Sequence, residues 1–308
     1  MSAGMAVGDA VTATRTFTQD DFDRFAALTG DDNPIHVDPA FAAQTEFGRP
    51  VAHGMFLFSQ LWGLITTRFP TPHSIELSAV NLVFPAPTFA DEEVTLRAEV
   101  VEALAGNWTF AVTVSRPDHM AGLEGAIVTF APYAARWTPL SWDWETEERT
   151  PFSGLRIGQR AELAHTFAAD EVADYLRLSA DGRRSRSLDA DTATGGLEGS
   201  SLPAPLLGGL FSRLLGTQLP GRGTNWLKQF FSFPGPAGSV GEPLTAAVEV
   251  MRLRPEKDLV DLRTTCTNSA GELICDGRAL VLVRDLEATE MQQPQRAADA
   301  PAEEVVDP

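Results

Sequence analysis

The first helical pattern of apolar and polar positions lies early in the chain. Thr18 is a favourable N-cap residue with Asp21 three positions later, which is the spacing of a capping box. One helical face of the next turns is apolar or small and is formed by Phe22, Phe25, Ala26 and Thr29. Gly30 suits the left-handed conformation at which many helices end. We therefore predict an amphipathic helix that starts after Thr18 and ends at Gly30.

A second stretch is apolar on nearly every side. It runs from Gly54 to about Ile65 and contains the segment F-L-F-S-Q-L-W-G-L-I. A helix that is apolar all round is typical of a protein core. The stretch is shorter than the roughly 20 residues needed to cross a bilayer, and Phe69-Pro70 closes it. We predict a buried central helix here.

Alternation of apolar and polar residues, typical of half-buried β-strands, recurs in both halves of the chain. It covers residues 94–100 and 108–114 in the first half, and 244–250 and 260–264 in the second. Each half is therefore predicted to be α+β, with an antiparallel sheet wrapped around a central buried helix.

An internal repeat relates the two halves at an offset of about 150 residues. The matched pairs are Val7-Gly8 with Ile157-Gly158, Phe17 with Phe167, Leu28 with Leu178 and, after a three-residue insertion, Pro50 with Pro203, Ser59 with Ser212 and Gly63 with Gly216. Two tandem copies can cover each other's apolar faces within one chain. We predict domains over 7–132 and 157–285, a linker over 133–156, and a disordered acidic tail over 286–308.

Composition excludes some partners. The net charge is −18 and the lysines are only Lys228 and Lys257, which argues against nucleic acid. Cys266 and Cys275 flank an expected turn at 268–271. Because no signal-like segment precedes the domain, we expect free thiols in a cytoplasmic protein. We expect no membrane partner.

The most informative chemistry is the segment A-L-T-G-D-D-N-P-I-H, which places Asp31 and His36 on a turn after the first helix. Such a pair can polarise a water, one group taking a proton while the other delivers one. The alternative is ordinary turn chemistry beside a solvated histidine. Gly54 begins the buried helix, where a bare N–H at the positive end of the helix dipole can form an oxyanion site.

G-D-D-N-P-I-H at 30–36, followed by R-P-V-A-H-G-M at 49–55, resembles the MaoC-like, hydratase 2 group of hot-dog proteins, the (R)-specific enoyl-CoA hydratases. The resemblance covers about residues 7–132. It implies a tandem hot-dog fold in which Asp31 and His36 hold the water and Gly54 holds the thioester oxygen. It implies no metal and no cofactor. Which of Asp31 and His36 is the base stays open.

The second half departs from this motif. Residues 180–187 read A-D-G-R-R-S-R-S, so Asp181 stands in register but no histidine follows. Leu206-Leu207-Gly208 is expected where the first half has H-G-M. We predict one site per chain, beside a degenerate hot-dog half.

Further candidates for substrate binding divide into two groups. Those near the motif are Asn33, which is expected to hold the loop and the dyad in place, His53 and Met55. Those in the second half are Leu207 and Phe211, for the acyl chain, and Arg184 and Arg222, for the phosphates of coenzyme A or a carrier-protein arm. The alternatives are plain core packing for Leu207 and Phe211, and a solvated basic turn for the arginines.

Three functions remain open. The leading one is a hydro-lyase acting on 2-enoyl or (R)-3-hydroxyacyl thioesters of coenzyme A or acyl-carrier protein. A hot-dog acyl-thioesterase would release free thiol, which hydration does not. A non-catalytic acyl-thioester-binding or assembly subunit would show no turnover as an isolated chain. The expected assembly is an intrachain pseudo-dimer, with a further homodimer as an open alternative.

Overall fold

The computed structural model of the chain describes residues 5–69, 75–104, 106–130, 152–180, 196–235, 237–284 and 286. Most of the expected linker and acidic tail lies outside these residues. So does the basic loop that contains Asp181, Arg183, Arg184 and Arg186.

Two similar series of elements follow one another along the chain. The first half contains β1 (Ala10–Thr16), α1 (Gln19–Thr29), α2 (Pro34–Val37), α3 (Pro39–Ala42), α4 (Gly54–Arg68), β2 (Glu76–Val83), β3 (Glu93–Leu104), β4 (Asn107–Ser115) and β5 (Ala121–Phe130). The second contains β6 (Arg160–Thr166), α5 (Ala169–Leu178), α6 (Ala204–Thr217), β7 (Asn225–Ser232), β8 (Pro243–Arg254), a 3-10 turn (Pro255–Lys257), β9 (Leu259–Thr267) and β10 (Leu273–Leu282).

The ten strands of the described residues form one sheet in the order β1-β3-β4-β5-β2-β7-β10-β9-β8-β6. The halves meet where β2 pairs antiparallel with β7, for example Val80 opposite Phe231. Cys275 lies opposite Cys266 on neighbouring strands, as the turn between them predicts, and both are buried free thiols. The predicted α+β architecture, an antiparallel sheet with a buried helix in each half, is confirmed.

The predicted start and end of α1 are confirmed in detail. The Thr18 side chain accepts a hydrogen bond from the Asp21 N–H, and the Asp21 carboxylate accepts one from the Thr18 N–H. Gly30 has φ 73° and donates its N–H to the Ala26 carbonyl. The predicted apolar face is the buried one, so α1 packs onto the core and its end is rigid.

The helices α4 and α6 are buried, pack against each other and contact the sheet, α4 at β3 and α6 at β8. α4 extends three residues beyond its predicted end, from Ile65 to Arg68, before Phe69. One continuous core joins the two halves. Among the described residues, no helix has both the length and the hydropathy needed to span a bilayer.

The predicted three-residue insertion in the repeat is wrong. α4 begins at Gly54 and α6 at Ala204, and the isolated bridges at Val51 and Ser201 keep the same offset of 150. Ala204 therefore stands where the first half has Gly54, and Ser212 stands where it has Trp62. A shift of three residues stays near one helical face, which is why Ser59 could be matched with Ser212 in the sequence.

Candidate active site

The segment after α1 is more regular than the predicted turn. Residues 34–37 form the one-turn helix α2, with Pro34 at its first position and His36 near its end. Asp38 then caps α3, accepting hydrogen bonds from the N–H groups of Ala40 and Phe41. Because both short helices begin with proline, their backbone is restricted, which fixes the direction of the intervening side chains.

Asp31 is buried, with 1% of its surface exposed. Its Oδ2 accepts a hydrogen bond from Ser212 Oγ at 2.5 Å, and its Oδ1 accepts one from the Asn33 N–H at 3.3 Å. Burial raises the pKa of Asp31, while the nearby His36, Ser212 and the Asn33 N–H oppose that shift. The carboxyl group is therefore held in place by a residue from the other half of the chain.

His36 is buried beside Asp31. Its Nδ1 lies 2.8 Å from the Val51 carbonyl oxygen. A carbonyl can only accept, so Nδ1 carries the proton and a neutral His36 has its lone pair on Nε2. Burial lowers the pKa of His36, and Asp31 and the Val51 hydrogen bond oppose that shift. The free Nε2 is thus the atom available for proton transfer.

Gly54 stands at the first position of α4. The His53 carbonyl accepts from the N–H groups of Phe56 and Leu57, so the Gly54 N–H precedes the bonded part of the helix. A Cβ on Gly54 would lie 2.7 Å from the Phe84 ring. Any side chain at this position would have to displace that ring, whereas glycine avoids the contact and adds no Cβ beside its own N–H, which faces the cavity lining.

These groups share one cavity of about 270 Å³. Residues from the first half that line it include Asp31, Asn33, His36, Gly54, Leu57 and Phe84. Residues from the second half include Ser212, Leu215, Gly216, Thr224, Trp226 and Leu282. The cavity is therefore built across the seam between the halves, and neither half forms it alone.

The Asn33 side chain links the loop after α1 to the second half through both polar atoms of its amide group. Nδ2 donates to the Thr224 carbonyl at 3.1 Å, and Oδ1 accepts from the Gly223 N–H at 3.0 Å. Both amide atoms are thereby engaged with backbone. This contact places Asn33 as a support for the loop that carries Asp31.

Comparisons with known proteins identify the family of this chain. A model described as a MaoC like domain matches residues 3–119. An (R)-specific enoyl-CoA hydratase from Aeromonas caviae is 41% identical over 127 residues, which cover 41% of this chain and 94% of that protein. This chain belongs to the MaoC-like family. A second (R)-specific enoyl-CoA hydratase, from Rhodospirillum rubrum, is 34% identical to this MaoC-like chain over 132 residues. These cover 43% of this chain and 90% of that protein.

Solved structures extend the likeness to both halves. A Mycobacterium tuberculosis protein described as having a double hotdog fold superposes with a TM-score of 0.66 at 14% identity, covering 90% of the MaoC-like chain and 96% of that one. A MaoC-like dehydratase gives a TM-score of 0.68 at 14% identity, covering 90% and 98%. At these identities the likeness concerns the fold, and it confirms the tandem hot-dog architecture.

Other residues singled out in the sequence of this MaoC-like chain lie off the cavity lining. His53 is fully buried and is not among the residues that line the cavity. Met55 packs close to Gly208 on α6. Leu207 lines a separate cavity of about 50 Å³, and Phe211 stacks on Phe231 with ring centroids 5.4 Å apart.

The two arginine candidates have different outcomes. Arg222 is 45% exposed and forms an ion pair with Asp32 at 2.9 Å, so it lies on the same loop system as Asp31 but does not line the cavity. Arg184 lies outside the described residues. Their role in phosphate binding stays a prediction.

Sequence reasoning did not single out two residues of the second half as neighbours of Asp31. Ser212 bonds Asp31, and a Cβ on Gly216 would lie 2.6 Å from Asp31 Oδ1. The signal that could have identified them is the constant offset of 150. It aligns Ser212 with Trp62 and Gly216 with Thr66 of the buried helix, and so places both on the central helix of the second half. Matching Ser212 to Ser59 concealed it.

The fold also creates a cluster that the sequence spacing does not show. Asp31, His36 and His53 each offer a possible metal ligand atom, and these atoms lie within 4.8 Å of one another. The expectation that the reaction needs no metal stays a prediction.

Proposed function

We propose that this MaoC-like chain is a hydro-lyase that adds water to trans-2-enoyl thioesters, giving (R)-3-hydroxyacyl thioesters, and catalyses the reverse dehydration. The observation that carries the proposal is a buried carboxylate–imidazole pair facing the same cavity as a bare helix N-terminus. The names of its relatives support the reaction class, since they include (R)-specific enoyl-CoA hydratases and a 3-hydroxybutyryl-CoA dehydratase.

The dyad acts on one water. In the hydration direction a water bound between Asp31 and Nε2 of His36 attacks C3 of the enoyl group. One member of the pair accepts a proton from the water and C2 receives a proton from the pair, so the dyad ends with the protons it began with. The negative charge that develops on the thioester oxygen is stabilised by the Gly54 N–H.

The second half completes this site without supplying a dyad member. Ser212 orients the Asp31 carboxyl group, and Asn33, bonded to Gly223 and Thr224, holds the loop at its working distance. The position of the reacting groups affects the rate strongly, because misplacement by about 1 Å can lower the rate on the order of 10²-fold.

The substrate is an acyl thioester of coenzyme A or of a carrier-protein arm. Phe84 and Trp226 lie on opposite halves of the cavity lining with ring centroids 6.3 Å apart, and they offer an apolar wall for the acyl or pantetheine chain. Arg222 and Arg184 are proposed contacts for the phosphates. We place the domains at 7–132 and 157–285, with the catalytic motif in the first.

A panel of thioesters tests this function. The purified chain is incubated with crotonyl-, octenoyl- and mesaconyl-CoA while the loss of enoyl absorbance and the release of free thiol are followed. We expect loss of absorbance without thiol release, and chiral analysis is expected to give the (R) product. Thiol release would favour a thioesterase, absence of any turnover would favour a binding or assembly subunit, and an (S) product would contradict the assignment.

A further inference from the structure

His53 is a buried titratable group that the proposed chemistry does not use. It is the residue immediately before α4, and its own carbonyl accepts the first hydrogen bonds of that helix. Its side chain has no exposed surface and is not part of the cavity lining. His53 therefore lies outside the residues that line the cavity, and the assignment of His53 to substrate binding stays a prediction.

The edge of the His53 ring is directed at Asp31. Nε2 lies 3.1 Å from the backbone carbonyl oxygen of Asp31 and 3.9 Å from its Oδ2. Since a carbonyl only accepts, Nε2 carries a proton and donates it to Asp31. His53 thus donates a hydrogen bond to the backbone of Asp31, the first member of the dyad.

The face of the same ring is directed at His36. The two imidazoles are stacked, with centroids 3.8 Å apart and planes 28° apart. The Phe25 ring lies on another side, with its centroid 5.1 Å away. Burial, and then the proximity of His36, hold the pKa of His53 well below its ordinary value, so a neutral ring stands beside His36 when that group changes charge.

We propose that His53 is a positioning residue that holds Asp31 by a hydrogen bond, holds His36 by ring stacking, and ties both to the Gly54 N–H next to it in the chain. One side chain thereby sets the distances among three groups that must act on one water and one thioester. The inference rests on the proposed hydratase function, whose chemistry it refines.

Two substitutions separate the contacts. His53→Phe keeps a flat ring against His36 and removes the N–H that Asp31 accepts. His53→Gln keeps an amide N–H near the position of Nε2 and removes the ring. Phe110→Leu is the matched control, since Phe110 is a buried aromatic residue of the first half that does not line the cavity.

We expect His53→Phe to lower kcat by roughly 10- to 100-fold, as misplacement of reacting groups does, while KM changes by less than about threefold. His53→Gln should recover several-fold of the lost kcat. Phe110→Leu should lower Tm and leave kcat unchanged. A rise in KM at constant kcat would show substrate binding, and a fall in Tm at constant kcat would show a packing role only. Either result would overturn the proposal.

A second measurement does not depend on turnover. Two-bond ¹H–¹⁵N spectra of the histidine rings at pH 7 should show His53 as the neutral Nε2–H tautomer in the wild-type protein. An Nδ1–H tautomer or a charged ring would refute the hydrogen bond to Asp31. If the wild-type protein hydrates no thioester, the hydratase assignment fails, whereas these spectra still decide how His53 is held.

Discussion

Asp31 and His36 lie together in the interior of the protein, where water does not solvate their charges. Burial raises the pKa of Asp31 and lowers the pKa of His36, so both groups are pushed toward their uncharged forms. Their mutual attraction opposes both shifts. Because burial raises one pKa and lowers the other, the two groups are closer in proton affinity than an exposed aspartate and histidine would be. Similar proton affinities suit a pair that exchanges protons with one water.

The first prediction at this scale concerns the dyad. Asp31→Ala and His36→Ala should each lower kcat by roughly 10²- to 10⁴-fold, the usual contribution of a general acid–base group. The double variant should be little worse than either single variant, because both groups act on the same water. Asp32→Ala is the control, since Asp32 is adjacent but exposed, and it should keep its kcat. Near-wild-type hydration by either single variant would exclude the mechanism.

Ser212 should matter although it lies in the half without a dyad. Ser212→Ala removes the hydrogen bond to Asp31 Oδ2 and is expected to lower kcat by roughly 10- to 100-fold, since hydrogen bonds to charged groups contribute roughly 1.5–3 kcal/mol. Ser59→Ala is the control, because in the described part of the chain the Ser59 hydroxyl donates to the Met55 carbonyl of its own helix and makes no contact with Asp31. Steady-state kinetics of both variants check this, and equal losses would contradict it.

The buried His53 predicts how stability depends on pH. The unfolded chain takes up a proton at an ordinary histidine pKa, near 6.5, whereas folded His53 takes it up only at much lower pH. The unfolded state therefore binds more protons below about pH 6.5, and stability falls as the pH is lowered, by up to about 1.4 kcal/mol per pH unit for this one group. Above that range the effect vanishes.

Urea unfolding at pH 5, 6 and 7.5 measures this slope. His53→Phe should reduce the fall in unfolding free energy between pH 6 and pH 5 by about 1.2 kcal/mol, because the proton linkage of one buried histidine is removed. Phe110→Leu should shift the stability at every pH and leave the slope unchanged. Identical slopes for His53→Phe and the wild-type protein would contradict the assignment.

At the scale of the elements, local signals were readable from the sequence and packing between distant segments was not. The cap at Thr18, the exit at Gly30 and the buried helix from Gly54 depend on neighbours within a few residues, so their patterns predict them. The contact between Ser212 and Asp31 joins residues 181 positions apart. It depends on α6 lying against the loop after α1. The three-residue insertion predicted in the repeat aligned Ser212 with Ser59 instead of Trp62, so the sequence did not indicate this contact.

Close packing of α6 against that loop gives a prediction of its own. Gly216→Ala would place a methyl group 2.6 Å from Asp31 Oδ1 and 3.0 Å from the Asn33 Cβ, so the carboxyl group must move. We expect kcat to fall by roughly tenfold or more, since displacement of a reacting group is costly. The control is Gly208→Ala on the same helix, whose methyl group would meet the flexible Met55 sulfur. If Gly216→Ala keeps full kcat, the contact with Asp31 is not tight.

At the scale of the whole molecule, the two halves contribute different residues to one site: the first half supplies the dyad and Gly54, and the second supplies residues that complete the cavity lining. The constant offset places Ala204 where the first half has Gly54, and Trp62 where the second half has Ser212. Trp62 and Ala204 both line the smaller cavity of about 50 Å³. That cavity corresponds to the one that holds the dyad, and a bulky ring from the first half occupies the position of the serine that orients Asp31.

This inequality predicts what separation of the halves does. Residues 1–137 alone retain Asp31, His36 and Gly54, but lose Ser212 and the partners of Asn33, and they expose the apolar seam against α6 and β7. A self-associated pair of first halves would offer Trp62 in the place of Ser212, so it could not restore the missing hydrogen bond. We therefore expect residues 1–137 to be poorly soluble or self-associated, with kcat at least about tenfold below that of the full chain.

Complementation makes the test decisive. Co-expression of residues 1–137 with residues 138–308 should reassemble the shared sheet through β2 and β7 and recover hydration, because the cavity needs both linings rather than a continuous chain. The same second fragment carrying Ser212→Ala should restore solubility but only a small part of the activity. This outcome would separate the structural role of the second half from its role in orienting Asp31. A soluble and fully active monomer of residues 1–137 would instead show that the second half is dispensable to the chemistry.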